Sequence, residues 1–91
     1  EPGPDDLDEP WPYEFRPGQS VWVKASDGNW YGGEISGSRV KRGPTRQKEG
    51  VFYPVAFRLP THHNIRKFFA PLNGEIKPDS RCVRKLLREA G

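Results

Sequence analysis

Apolar and polar residues alternate along much of this chain with the period of half-buried strands. Val21, Val23 and Ala25 alternate with Trp22 and Lys24, which predicts a strand with one face on a core. Ser26-Asp27-Gly28-Asn29 follows with the residues of a tight turn, Gly28 being free to adopt positive φ. Trp30-Tyr31 open a second strand that ends near Ile35, so residues 18–35 predict one β-hairpin. Gly32 and Gly33 form strands poorly, and their placement predicts a close backbone approach or a bend. From Val51 to Leu59 the alternation returns: Val51, Tyr53, Val55, Phe57 and Leu59 share a face, with Phe52, Ala56 and Arg58 on the other. Pro54 lacks an N–H, which predicts an edge position or a bulge there. Ile65–Ala70 predicts a fourth strand, and Glu75–Lys77 a very short fifth.

The period changes at the end of the chain. Val83, Leu86, Leu87 and Ala90 fall at i, i+3, i+4 and i+7, the stripe of an amphipathic helix over residues 79–90, with Asp79 or Ser80 as its cap. Before the first strand, Trp11, Tyr13 and Phe15 occupy alternate positions of an extended segment expected to lay its rings on the body. Four or five short strands and one terminal helix predict a small, mainly β, strongly curved antiparallel barrel over residues 11–91.

Composition narrows this picture. The chain has 91 residues, 33% of them hydrophobic, so the core is small and depends on its aromatic residues. Ten Gly and ten Pro agree with many turns. The single cysteine, Cys82, can form no internal disulfide, and no apolar run reaches membrane-spanning length, so no membrane association is expected. A chain opening on Glu1 is expected to belong to a larger multidomain protein or complex, the domain itself being monomeric.

Charge is unevenly placed. Residues 1–9 carry five carboxylates and no base, and the Pro-rich segment 1–10 is expected to be a disordered acidic leader. The net charge of +3 therefore leaves +8 on the remaining residues, a body suited to anionic partners. Two basic groups stand out. Arg39, Lys41, Arg42, Arg46 and Lys48 fall between Arg39 and Gly50, which reads as a long loop because Gly43-Pro44 breaks any strand. Arg81, Arg84, Lys85 and Arg88 form a stripe on the polar face of the helix. At this density Lys and Arg contact phosphates without reading sequence, so all nine are candidate nucleic-acid contacts.

Catalytic chemistry finds no support. His62 and His63 are adjacent, Cys82 has no motif around it, and no ligand spacing joins the three. No phosphate-cradling glycine pattern occurs. A non-enzymatic domain without cofactor or metal is expected.

The hairpin and the strand after it resemble the Tudor and Agenet-type modules of the SH3-like barrel class. The matching residues are Gly18, the Val21-x-Val23 strand, the Ser26-Asp27-Gly28 turn, Trp30-Tyr31, Gly33, Ile35 and Phe57. The resemblance covers about half the chain. It implies a chromatin-associated nuclear reader that binds a histone tail, methylated or not, through an aromatic cage, with cation–π attraction as its physics. Tyr31 and Phe57 match two cage positions. Lys24 or Ala25 and Thr61 stand where two further aromatics belong, which makes Trp22, Trp30 and Trp11 the candidate replacements. Two alternatives stand beside this one: a sequence-independent DNA- or RNA-binding module, and a structural docking domain of a larger chromatin enzyme.

Overall fold

The computed structural model describes residues 7, 9–61 and 64–90. They form six antiparallel strands, a 3₁₀ turn and a helix: β1 Ser20–Lys24, β2 Trp30–Ile35, β3 Lys41–Pro44, β4 Glu49–Arg58, β5 Asn64–Phe69, the 3₁₀ turn Pro71–Asn73, β6 Ile76–Pro78 and α1 Arg81–Ala90. The sheet is a curled half-barrel with strand order β3-β4-β2-β1-β6, and β5 also pairs with β4.

The hairpin forms as its pattern requires. β1 and β2 pair from Ser20↔Glu34 to Lys24↔Trp30, and Gly28 closes the turn at φ 85°. The close approach expected at the glycine pair falls on Gly33, which pairs with Phe57 of β4. A β-carbon there would stand 2.7 Å from the Ala56 carbonyl oxygen and 2.9 Å from Phe57 Cβ, so a side chain would push the central strands apart.

β4 is the strand on which the others converge, and Pro54 explains how it serves two neighbours on one side. Phe52 pairs with Lys41 of β3, whereas Val55 pairs with Ile35 of β2. Pro54 falls at the changeover. Its carbonyl accepts the Ser36 N–H at 2.9 Å, and the N–H it lacks would face the gap between β3 and β2.

One expectation is overturned here. Residues 39–50 are not a long loop, because Lys41–Pro44 pairs with Glu49–Phe52 as a tight hairpin. Gly43-Pro44 does not break this strand, since β3 lies at the end of the strand order and Pro44 ends it, a position where proline is tolerated.

The inner face of the sheet holds the core. Val21, Val23, Ile35, Val55, Phe57, Phe69 and Ile76 are buried, with Phe15 from the N-terminal segment closing over them. Each such side chain contributes about 1.5–3 kcal/mol by leaving water. Trp11, Tyr13 and Phe15 run as a chain of tilted rings, and Phe15 meets Tyr53 edge-on at 5.1 Å. This strap also covers Lys77, the one charged residue among the described ones that is wholly buried. The Lys77 ammonium donates to the Glu9 carbonyl and lies 6.0 Å from the centre of the Tyr13 ring. The leader is thus packed at its inner end: Glu9 and Pro10 are half-buried. The expectation of disorder for residues 1–6 and 8, like the two histidines His62 and His63, lies outside the described residues.

The helix begins where Ser80 Oγ accepts the Val83 N–H at 3.2 Å, the geometry of an N-cap. Its expected apolar stripe is buried only at the start. Val83 is 1% exposed, but Leu86 and Leu87 are half-buried and Ala90 is exposed.

Candidate nucleic-acid interface

Cross-strand pairing fixes what the outer face of the sheet displays. Pro54↔Phe68, Ala56↔Arg66 and Arg58↔Asn64 are opposed across β4 and β5, on the side away from Val55 and Phe57. On β2 the same side carries Gly32 and Glu34, and Glu34 stands opposite Ala56. Small residues therefore floor a surface rimmed by two arginines.

Two hollows lie on this surface and share Arg66. One, of about 470 Å³, is lined by Gly32, Ala56, Phe57, Arg58, Asn64, Ile65 and Arg66. The other, of about 290 Å³, is lined by Ser36, Ser38, Arg39, Pro54, Arg66, Lys67 and Phe68. Neither has a carboxylate in its lining. Lys41 of β3 lies over the Phe68 ring at 4.3 Å, adding a cation at the second hollow. Arg39, Arg58 and Arg66 are exposed, and among the described residues none of them makes an ion pair. Glu34 is the acid nearest in register, two strands from Arg66 or roughly 10 Å at ordinary strand spacing.

Trp22 carries this face toward the helix. Its ring covers Gly32, with Cζ3 3.7 Å from where a β-carbon would be, and its Nε1 donates to Asp79 Oδ1 at 2.9 Å. Arg84 donates to the same carboxylate oxygen at 3.0 Å. The Trp22 hydrogen bond, and after it that from Arg84, holds the Asp79 carboxyl below the ordinary carboxylate value.

The nine cations predicted from sequence separate into groups. Arg39 and Lys41 join the outer-face hollows. Arg42 is ion-paired with Glu49 at 3.4 Å, and Arg84 is engaged by Asp79. Arg46 belongs to a different part of the molecule, bonded to Asn73. Lys48 is exposed in the β3–β4 turn, as are Arg81, Lys85 and Arg88 on the helix. Arg58 and Arg66 were not among the nine. The signal for Arg58 lay in its alternation with Phe57, whereas Arg66 stands in a strand too short to fix which side faces out.

Four of the aromatic candidates occupy two faces of one sheet. Tyr31 and Phe57 are on the inner face, stacked at 6.4 Å with an interplanar angle of 25°, and Phe57 also packs edge-on to Phe69 at 5.7 Å. Trp22 and Trp30 are on the outer face with Gly32. Their rings do not surround a common point. Beside Phe57 is a smaller hollow of about 200 Å³, lined also by Ala25, Asp27, Leu59, Ile65 and Lys67. Tyr31 donates to Asp27 Oδ2 at 2.6 Å, and Asp27 also accepts the Asn29 N–H. These bonds lower the Asp27 pKa, the tyrosine contributing most, and the adjacent carboxylate raises that of the Tyr31 phenol. This end of the barrel therefore holds a carboxylate, but Lys67 places a cation in the same hollow.

No family model, no curated protein and no solved structure matches this chain.

Proposed function

We propose that this domain is a non-catalytic binding module that holds the phosphates of nucleic acid on the outer face of β4 and β5. The observation that carries the reading is the run of Arg39, Arg66 and Arg58 around two adjoining hollows with no carboxylate in their lining. Guanidinium groups spaced along a shallow surface suit a phosphate backbone, and phosphate contacts of this kind confer affinity without sequence preference. A chromatin-associated, nuclear role agrees with such a surface.

A second reading has its own support. The Asp27 carboxylate beside the Phe57 ring offers a partner for a cationic side chain, such as a methylated lysine of a histone tail. Lys67 in that hollow opposes it, so the phosphate reading is preferred.

An amide NMR titration tests both, first with a short DNA duplex and then with methylated and unmethylated histone-tail peptides. The phosphate reading expects shifts at Ser38, Arg58, Asn64 and Arg66 with DNA. Shifts only at Asp27, Tyr31 and Phe57, and only with methylated peptide, would replace it with the reader assignment.

A further inference from the structure

Phosphate contacts use the cations of the outer face and leave its apolar floor without a role. Pro54 and Phe68 lie opposite each other across β4 and β5 and both line the hollow of about 290 Å³. Phe52 stands two residues before Pro54 on the same side of β4. Its ring lies against Gly43, with Cε1 3.4 Å from where a β-carbon would be. All three side chains are half-buried. A proline and two phenylalanines therefore run across a surface rimmed by arginines. Arg66 is two residues from Phe68 on the same side of β5, and Arg39 reaches the hollow from the segment after β2. The hollow is open at Gly37, where a β-carbon would meet nothing within 4 Å.

Lys41 shows what the Phe68 ring attracts. It is exposed, pairs with Phe52 across β3 and β4, and holds its ammonium 4.3 Å from the centre of the Phe68 ring. A cation over a ring in contact with water is weakly held. A nucleobase stacked on the same ring gains more, and the ammonium that it displaces turns to the adjoining phosphate. An apolar floor inside a rim of cations calls for a ligand that carries a flat apolar surface and a negative charge side by side. An unpaired nucleotide does so. In a duplex the base faces are stacked on one another and are not offered.

We infer that the outer face binds single-stranded nucleic acid in preference to duplex, with one unpaired base stacked on Phe68 beside Pro54 and the flanking phosphates on Arg39, Lys41 and Arg66. This rests on the phosphate reading and adds to it the state of the strand.

Fluorescence anisotropy of the full chain at one fixed salt concentration tests it. The probes are a short oligothymidylate, the matching oligouridylate, a duplex of the same length, an abasic strand of the same charge and a polyglutamate peptide. Oligothymidylate should bind at least about fivefold tighter than the duplex and the abasic strand, the lower end of what one stacked base contributes. Phe68→Ala should remove that advantage and leave duplex binding unchanged. Phe68→Leu, which keeps an apolar side chain on β5 but has no ring, should do the same. The Phe68 ring protons of the wild type should move upfield on adding the strand, a sign of stacking that needs no variant. Arg66→Gln should weaken strand, abasic strand and duplex alike. Tighter binding of oligothymidylate or of oligouridylate assigns the sugar. Equal binding of the abasic strand, strand affinity indifferent to Phe68→Leu, or polyglutamate binding as tightly as the strand would overturn the inference. Duplex binding that still weakens in Arg66→Gln would then leave the phosphate reading standing, whereas absence of binding by every nucleic acid would overturn both.

Discussion

The central sheet and the terminal helix were both predicted from periodic apolar residues, yet they are held very differently. On the sheet, residues from β1, β2, β4, β5 and β6 and from the N-terminal strap interlock around Val23, Val55 and Phe69, each 1% exposed or less. On the helix only Val83 is buried, and the remaining anchors are polar: the Ser80 cap and the Asp79 carboxylate that joins Trp22 to Arg84. An apolar stripe shows that a helix can have a buried side. It does not say how much surface is available to bury it.

Phe69→Ala should cost about 3–5 kcal/mol by chemical denaturation, the range for a buried aromatic truncation. A loss under about 1 kcal/mol would mean that the sheet core is as loosely held as the helix. Gly33→Ala should cost about 1–3 kcal/mol, since its new methyl meets the Ala56 carbonyl in a packed strand pair. Unchanged stability there would show that β2 and β4 tolerate a wider spacing.

Within the helix, Val83→Ala should cost about 1.5 kcal/mol and Leu86→Ala about 1 kcal/mol or less, because the leucine is only half-buried. The reverse order would indicate that the later turns dock more firmly than the first. The smallest effect concerns pH. Asp79 has a lowered folded-state pKa, so its contribution is complete above the unfolded value near 3.8 and is lost as pH falls through the lower folded value. The Trp22 indole N–H resonance should therefore move at acid pH in the wild type and stay put in Asp79→Asn. An indole signal indifferent to pH would remove the carboxylate as the link between sheet and helix.

Most strand positions could be read from alternation, because an inner face of Val21, Val23, Val55 and Phe57 leaves one register available. β3 could not. Lys41-Arg42-Gly43-Pro44 has no apolar face of its own and is a strand only because β4 extends past β2 and offers it an edge. The candidate site was partly legible for the same reason. Charge density marked Arg39 and Lys41, but the hollow beside them depends on Pro54 and Phe68 lying opposite each other, a fact of register. Phe57 carried a conflict within the sequence itself. Its alternation with core residues pointed inward and its match to a cage position pointed outward, and packing against Phe69 decided for the interior.

The most direct test of phosphate binding by the outer face is the salt dependence of DNA affinity, measured by fluorescence anisotropy for the wild type and for Arg58→Gln/Arg66→Gln. Each phosphate contact contributes about 0.9 to the slope of log K against log salt, so losing two should lower the slope by about 2 and weaken binding for every sequence alike. Removing the nearby acid with Glu34→Gln should strengthen binding modestly at low salt. An unchanged slope in the double variant, with DNA binding retained, would contradict the account by placing the contacts elsewhere.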